Sequence, residues 1–205
     1  MNPAFTGGGR LMRPTLLAGL MVDLGLENEY ASFGRQFPKF HVWSGSHHPA
    51  LHHYGDGGLK QHTTEVIGLG LTCLVTLGLE NEVPRNEYVF AALFHDLGKT
   101  EDYERALVDY AGTGTPIMGW KSTEHKRLIH HVSRSALMWA SFAAGKFDKD
   151  FTDRVTHCIL AHHGTREHGS PVAPKARTAW LLHLCDGISA RMDDADRHDI
   201  LHKPS

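Results

Sequence analysis

Apolar residues recur at helical spacing in several stretches of the chain, and the strict alternation of a half-buried strand is not evident. Proline near the start of two stretches and glycine near the end of two others fit helix boundaries. The pattern predicts an all-α bundle of about six helices joined by long loops. The predicted helices lie near residues 14–31, 59–78, 84–99, 122–145, 150–163 and 175–194.

Three segments lack helical periodicity and are predicted to be irregular. Residues 1–13 are rich in glycine, and residues 36–58 combine histidine, glycine, proline and tryptophan without regular spacing. Residues 100–120 contain three glycines and a proline, which predicts a surface loop with space for a short hairpin. Long structured loops of this kind often border functional sites.

The composition fits one globular domain with a sizeable core, since 41% of the 205 residues are hydrophobic and 21% are charged. The net charge of −2 argues against a strongly basic surface for long nucleic acids and leaves room for a small or short anionic substrate. No apolar stretch reaches the ~20 residues that span a bilayer, and a signal-peptide pattern is lacking, so we expect a cytoplasmic protein without membrane contact. The three cysteines lie far apart without a C-x-x-C motif, which predicts buried thiols.

Histidine is the outlier of the composition, with 17 residues in the chain. His95 and Asp96 end an apolar run, where an ionised carboxylate is costly unless it is paired, hydrogen-bonded or bound to a cation. Further candidates lie at predicted helix ends or on helical faces: His62, His130, His131, His162, His163 and Asp186. Imidazoles with a few carboxylates are ligands of Mn, Fe, Co, Ni or Zn, and packed helices can direct such groups to one point. The sequence therefore predicts a metal site.

The ordered series of these residues resembles the HD-domain superfamily of metal-dependent phosphohydrolases in its binuclear form. Longer strings surround the series: G-G-L-K-Q-H-T at residues 57–63, F-H-D-L-G-K at 94–99, I-L-A-H-H-G-T-R-E-H-G-S-P-V-A-P-K at 159–175 and L-L-H-L-C-D at 181–186. These strings look like the HD domain of YhaM-type 3′–5′ exoribonucleases. The resemblance covers about residues 50–195, which implies one HD domain within residues 1–205 and a helical extension at residues 1–49.

The resemblance also implies ligands for two divalent transition metal ions, with Mn, Fe, Co or Ni favoured over Mg alone. One ion would be held by His62, His95, Asp96 and Asp186, and the second by His131, His162 and His163. Asp96 would bridge both ions, because a carboxylate can offer an oxygen to each ion whereas a neutral imidazole cannot. Asp96 and Lys99 are accordingly the predicted catalytic residues, with Lys99 binding a phosphate oxygen or assisting the leaving group.

Some of these assignments leave an alternative open. His130 is adjacent to His131 and could replace it as the ligand. His162 and His163 could instead be a pair favoured by the dipole at a helix C-terminus. Lys99 could be a solvated cation at a helix end rather than a phosphate contact.

Four further residues lie near the predicted ligands in the sequence. Glu65 lies one turn after a predicted ligand and His183 lies three residues before another, so both are candidates for orienting ligands through hydrogen bonds. His52 and His53 belong to the loop before the second predicted helix. They are equally consistent with a pocket wall and with ordinary loop residues.

The function implied by the resemblance is hydrolysis of a phosphoester bond in nucleotides or at the ends of single-stranded nucleic acids. The expected partner is therefore a nucleotide or a short single-stranded nucleic acid, and the oligomeric state is left open. Two alternatives stand beside it: an HD-type di-iron oxygenase, and a non-catalytic nucleotide-binding regulatory module. The complete ligand set argues against the regulatory module.

Overall fold

The computed structural model describes residues 16–110 and 114–198, so the predicted irregular segment at residues 1–13 lies outside the described residues. The described chain is mainly helical, which confirms the predicted fold class. None of its helices is both long and apolar enough to cross a membrane. In chain order the helices are α1 (Leu16–Asp23), α2 (Glu27–Gln36), α3 (Gly58–Thr76), α4 (Arg85–Phe94), α5 (Lys99–Asp102), α6 (His125–Leu128), α7 (His131–Ala143), α8 (Lys149–Ala161) and α9 (Arg177–His198). Short 3-10 turns lie at Pro38–His41 and Arg166–His168.

Two predicted helices are interrupted, each at a residue whose backbone leaves the helical conformation. The helix predicted near 14–31 divides into α1 and α2 around Gly25, which has a left-handed φ of 68°. The helix predicted near 122–145 divides into α6 and α7, because His130 has an extended ψ of 150°. The second break matters for the site, since His131 becomes the first residue of α7 instead of an interior one.

A two-stranded antiparallel hairpin occupies most of the segment that was expected to be a surface loop. β1 (Tyr103–Tyr110) pairs with β2 (Pro116–Ser122). Trp120 in β2 packs edge-to-face on Trp43, with 4.8 Å between the ring centroids. Apolar side chains on both strands stay exposed, as Ile117 does, so the sequence lacks the alternation that marks a strand with one buried face.

The aromatic core holds the end of α4 in place. Phe94, the last residue of α4, packs edge-to-face on Phe33 of α2, with 5.1 Å between the ring centroids. It also contacts Trp139 and Phe142 of α7, both at 5.2 Å. Aromatic pairs of this kind each contribute about 0.5–1.5 kcal/mol beyond the area that they bury. Because His95 follows Phe94 directly, the core fixes where the next turn begins.

Gly70 of α3 packs directly against Tyr88 of α4. A Cβ atom at this position would lie 2.0 Å from the ring of Tyr88, which is fully buried. The Tyr88 hydroxyl donates a hydrogen bond to the backbone carbonyl of Val66, at 2.6 Å. Helix α3 also packs on α9, and α4 packs on α8 and α9. Glycine at position 70 therefore sets the spacing of two of the helices that carry the site.

We expect Gly70→Ala to lower the free energy of unfolding by about 1–3 kcal/mol, because the added methyl group overlaps the Tyr88 ring. Gly19→Ala is the matched control, since Gly19 lies in α1 and a Cβ atom there would meet no described atom within 4 Å. The control should leave stability unchanged or raise it by up to about 1 kcal/mol. Urea denaturation measures both changes, and equal stability of the two variants would contradict the packing argument.

Candidate metal centre

All seven predicted metal ligands lie around one point of the fold. His62 belongs to α3, His95 and Asp96 to the turn after α4, His131 to the start of α7, His162 and His163 to the turn after α8, and Asp186 to α9. Five of them are buried and two are half-buried. The half-buried residues are His163 and Asp186. Their convergence is a feature of the structure, and their roles as ligands stay predictions.

The first set, here called the Asp186 group, consists of His62, His95 and Asp186. His62 Nε2 lies 3.0 Å from Asp186 Oδ1 and 3.2 Å from His95 Nε2. Asp96 Oδ2 faces this group, at 3.4 Å from His62 Nε2 and 3.5 Å from His95 Nε2. The side chains of four residues from three parts of the chain thus point nitrogen and oxygen atoms that could bind a metal ion towards one another.

The second set, here called the His163 group, consists of His131, His162 and His163. His131 Nε2 lies 3.3 Å from His163 Nε2 and 3.3 Å from Asp96 Oδ1. His162 Nε2 lies 3.7 Å from the same Asp96 oxygen. Asp96 therefore turns one carboxylate oxygen towards each group. His130 is exposed and its ring centroid is 6.0 Å from that of His163, so the geometry favours His131 as the ligand.

His95 and His162 are positioned by the same local device at the ends of α4 and α8. Each histidine is the C-cap of its helix. Its Nδ1–H donates to the carbonyl three residues earlier, that of Ala92 or Ile159, at 2.7 Å in both cases. Carbonyls in the last turn of a helix lack the regular partner four residues later. The hydrogen bond uses this carbonyl, fixes the Nδ1–H tautomer and leaves Nε2 unprotonated.

Asp102 and Gly98 fix the position of His131. The backbone N–H of His131 donates to Asp102 Oδ2 at 3.0 Å, and the same oxygen lies 3.6 Å from His131 Nδ1. Gly98 packs so closely on His131 that a Cβ atom would lie 2.4 Å from the His131 carbonyl oxygen. The Gly98 N–H donates to Ser135 Oγ at 2.8 Å. These contacts bring the turn that carries Asp96 against the start of α7.

Ser189 orients His62. His62 Nδ1–H donates to Ser189 Oγ at 3.0 Å, and the Ser189 hydroxyl donates to Glu65 Oε2 at 2.8 Å. Glu65, which the sequence suggested as an orienting residue, therefore reaches His62 through the serine. Burial alone would raise the pKa of Glu65, but hydrogen bonds from His53 and Gln61 lower it to about 2. The Glu65 carboxylate is thus ionised and accepts hydrogen bonds only.

His183 is the other residue that the sequence suggested for orienting a ligand. It forms its hydrogen bond with the backbone and not with a carboxylate. Its Nδ1 donates to the backbone carbonyl of His162 at 2.9 Å. The His183 ring lies against Gly164, where a Cβ atom would be 2.6 Å away, and Gly164 has a left-handed φ of 87°. Glycine is required at this turn for both reasons.

Lys99 is buried beside Asp96. Only 6% of Lys99 is exposed, and its Nζ lies 2.5 Å from Asp96 Oδ2, so it is not the solvated cation that the sequence left open. Burial alone would lower the pKa of Lys99, but the Asp96 carboxylate raises it above its ordinary value. The ammonium therefore stays charged and offsets part of the negative charge on the side that faces the Asp186 group.

Burial keeps three imidazoles of the site neutral. It lowers the pKa of His62 and lowers the pKa values of His131 and His162 still further. For Asp96, burial alone would raise the pKa, but the Lys99 ammonium holds it well below its usual range. Neutral imidazoles around an ionised carboxylate are the protonation states that bind metal ions.

The hydrogen bonds leave acceptor atoms facing one another without a proton between them. Because Nδ1 carries the proton on both His62 and His95, their Nε2 atoms meet at 3.2 Å as two lone pairs. Asp186 Oδ1 adds a third acceptor, at 3.0 Å from His62 Nε2. His162 Nε2 is buried and has no hydrogen-bond partner within the described chain. Inward-facing acceptors of this kind fit a divalent transition metal ion.

A cavity of about 350 Å³ adjoins both groups. Its lining consists of His52, His163, His168, His183, Asp186, Gly187, Ala190 and Arg191. Each group thus has one residue in the cavity wall: Asp186 from the Asp186 group and His163 from the His163 group. His52, whose role the sequence left open, also lies in the wall. Burial and the charge of Lys99 lower the pKa of His52 to about 3, so its imidazole is neutral.

Sequence interpretation missed three residues that position the ligands: Asp102, Ser135 and Ser189. Ser189 lies three residues after Asp186 in α9, on the same helical face, so helical spacing could have indicated it. Asp102 and Ser135 act across breaks between helices. No spacing rule connects such residues to the histidine that they support.

Comparison with known proteins matches residues 59–191 to the HD domain family. The 3′-5′ exoribonuclease YhaM of Shouchella clausii is 29% identical over 147 residues, which is 71% of this chain and 42% of that protein. YhaM of Bacillus subtilis is 27% identical over 147 residues, with the same two shares, and YhaM of Bacillus pumilus is 26% identical over 166 residues, or 80% and 47%. The chain therefore spans less than half the length of these relatives. No solved structure matches the chain significantly.

Replacing His131 should remove metal from one group only. We expect His131→Ala to lower the Mn bound after reconstitution by about half, because one of the two predicted ion sites loses a predicted ligand. His130→Ala is the control and should bind as much Mn as the wild type, since His130 is exposed. Mass spectrometric metal analysis of the desalted proteins measures the content. The reverse result would make His130 the ligand.

The metal-free protein should lose stability as the pH falls below about 6.5. His62, His131 and His162 are neutral in the folded state but take up protons when the chain unfolds, so acid favours the unfolded state. Each histidine lowers the free energy of unfolding by up to about 1.4 kcal/mol per pH unit between its unfolded and its lower folded pKa.

Urea unfolding in a chelator, from about pH 7.5 to about pH 5, measures this slope. His162→Gln should make the dependence of the free energy of unfolding on pH shallower, by the contribution of one histidine. His168→Gln, at an exposed position, should leave it unchanged. An unchanged slope in His162→Gln would contradict the neutral state assigned to the buried imidazole.

Proposed function

The chain belongs to the HD domain family, and we propose that it is a metal-dependent phosphohydrolase acting on phosphoester bonds in nucleotides or at the ends of single-stranded nucleic acids. The observation that carries this proposal is the division of buried acceptors into two groups that share Asp96. Two cations a few ångströms apart are the usual device for displacement at phosphorus. The similarity to exoribonucleases supports a phosphodiester of a nucleic acid as the bond that is cleaved.

In this proposal the Asp186 group and the His163 group would each hold one divalent cation, and Asp96, which faces both groups, would belong to both sets of ligands. Such cations would supply Lewis-acid activation of water and neutralise charge on the phosphate group. Imidazole donors favour Mn, Fe, Co or Ni over Mg, which prefers oxygen ligands and keeps its waters. Asp96 is thereby the residue on which both halves of the centre depend.

The remaining residues of the site hold the donors in place and prepare for a negatively charged substrate. Lys99 keeps Asp96 ionised and presents a buried positive charge beside it, which would bind a phosphate oxygen of the substrate. Asp102 holds the start of α7, and Ser189 holds His62. Because these hydrogen bonds exist before a substrate arrives, little reorganisation is needed during the reaction.

The proposal is tested with a substrate panel on the Mn-loaded protein: short single-stranded RNA and DNA, cyclic nucleotides and nucleoside triphosphates. We expect hydrolysis of a phosphoester bond in at least one class. Asp96→Ala should remove both metal equivalents and lower the rate at least about a hundredfold. Lys99→Met should keep the metals and lower the rate by about 10- to 100-fold.

Lys149→Met is the control for Lys99→Met, because Lys149 is an exposed lysine paired with Asp153 far from the site. It should change neither the metal content nor the rate. Absence of hydrolysis across the whole panel would refute the phosphohydrolase. Turnover that requires iron and dioxygen would instead establish the oxygenase that the sequence left open.

A further inference from the structure

Positive charge accumulates in the segment that leads from β2 into α7. Residues 123–134 contain three permanently charged cations, Lys126, Arg127 and Arg134, and a single carboxylate, that of Glu124. Arg127 is exposed, and Lys126 and Arg134 are half-buried. The three cations, here called the basic surface, form a local excess of positive charge in a chain whose formal net charge is −2.

The cations of the basic surface form no ion pair with a carboxylate of the described residues. By contrast, Arg85 pairs with Glu80 at 3.3 Å and Arg105 pairs with Asp56 at 2.7 Å. Arg134 Nε has no hydrogen-bond partner within the described chain. An anion can therefore bind to the basic surface without breaking an ion pair that already exists.

The basic surface adjoins the metal centre on the side of the His163 group. Arg134 lies in the first turn of α7, which His131 begins. Both residues pack on Gly98, where a Cβ atom would lie 3.0 Å from Arg134 Cβ and 2.4 Å from the His131 carbonyl oxygen. The ring centroid of the exposed His130 is 6.0 Å from that of His163. None of the three cations lines the cavity described above, so the basic surface is a separate feature.

A buried aromatic ring holds Lys126 in position and leaves its charge available. Lys126 Nζ lies 5.2 Å from the centroid of the Tyr103 ring, which is a cation–π contact. Only 6% of Tyr103 is exposed. The ring carries no net charge, so it restrains the ammonium without neutralising it as a carboxylate would.

The side chains beside the cations favour a nucleic acid as the anion. Leu128 is 77% exposed, and the imidazole of His130 is exposed in the same segment. Proteins that bind single strands combine cations for the phosphates with rings on which the bases stack. An acidic peptide would use the cations but not the ring. Charge and exposed ring together therefore match a strand of nucleotides.

We propose that the basic surface binds phosphates of a single-stranded nucleic acid beside the bond that the metal centre cleaves. This assignment rests on the phosphohydrolase function proposed above, and it names an oligonucleotide as the substrate class rather than a cyclic nucleotide or a nucleoside triphosphate. Lys126, Arg127 and Arg134 are specificity-determining residues in this sense, because they contact phosphates that only a longer strand possesses.

Fluorescence anisotropy of the Mn-loaded protein tests the proposal with a labelled twelve-nucleotide RNA whose phosphorothioate linkages resist hydrolysis. Chromatography confirms that the RNA stays intact. In the double variant Lys126→Met/Arg127→Met we expect about tenfold weaker binding, because two phosphate contacts are lost. Between about 50 mM and about 200 mM salt, the slope of log affinity against log salt concentration should fall in magnitude by about 1.4, since each contact with a single strand contributes about 0.7.

The double variant Arg85→Met/Lys149→Met is the matched control, because it removes the same charge at two exposed positions. These residues begin α4 and α8, whereas the metal centre lies at the opposite ends of both helices. The control should keep the affinity and the slope of the wild type. Equal weakening in both double variants would assign the effect to net charge and overturn the proposal. Wild-type binding by Lys126→Met/Arg127→Met would overturn it as well.

Two variants at one position test Arg134. Arg134→Gln should lower the slope by about 0.7, whereas Arg134→Lys should keep it, because lysine retains the charge. Both substitutions alter the packing on Gly98. Equal slopes in the two variants would therefore exclude a phosphate contact by Arg134.

Competition with polyglutamate distinguishes a nucleic acid from an acidic protein. Polyglutamate of the same total charge should displace the RNA at least about tenfold less well than the unlabelled RNA does, because it offers no base to the exposed ring. Equal competition by the two polymers would overturn the assignment of a nucleic acid.

The outcomes separate this inference from the proposed function. A protein that hydrolyses a member of the substrate panel but binds the RNA equally well without the two cations loses the inference and keeps its proposed function. A protein that hydrolyses nothing in the panel but needs the two cations to bind the RNA loses the proposed function and keeps an RNA-binding surface.

Discussion

Buried imidazole nitrogens face the Asp96 carboxylate without a proton between them, and such atoms repel one another. The surrounding fold must hold them in this position. A buried acceptor without a hydrogen bond costs about 1–3 kcal/mol in proteins, and His162 Nε2 is such an atom within the described chain. Lys99 offsets part of this cost on one side of Asp96. The arrangement is therefore maintained by the packing around it, and hydrogen bonds keep the Nδ1 protons of His62, His95 and His162 on the side of the ring away from Asp96.

Two ordinary features of helices do most of this work. His95 and His162 donate from Nδ1 to carbonyls in the last helical turn, which lack the regular donor four residues later, so the proton is held on Nδ1. His131 stands at the first position of α7, where its own N–H lacks an intrahelical partner and is taken by Asp102. The site thus forms where helices begin and end, and the aromatic contacts of Phe94 set the place of the central turn.

Much of this architecture could be predicted from the sequence, and the failures have physical reasons. Helices α3, α8 and α9 follow from apolar spacing, and the ordered histidines indicated which side chains would meet. The break before His131 could not be foreseen, because it depends on a hydrogen bond to a residue 29 positions earlier. The hairpin was left undecided, since neither strand buries a whole face. The tautomers that make the site suitable for cations appear only when the partners of Nδ1 are known.

Phe33 has a consequence for how the chain can be divided. It belongs to α2, outside the residues 59–191 that match the family, yet its ring forms one side of the cluster around Phe94. The hydrophobic core of this domain therefore includes a residue outside the segment that matches the family. A fragment trimmed to the family boundaries would keep all seven predicted ligands and lose the aromatic ring of Phe33 behind His95 and Asp96, so the predicted ligands would be present but poorly supported in position.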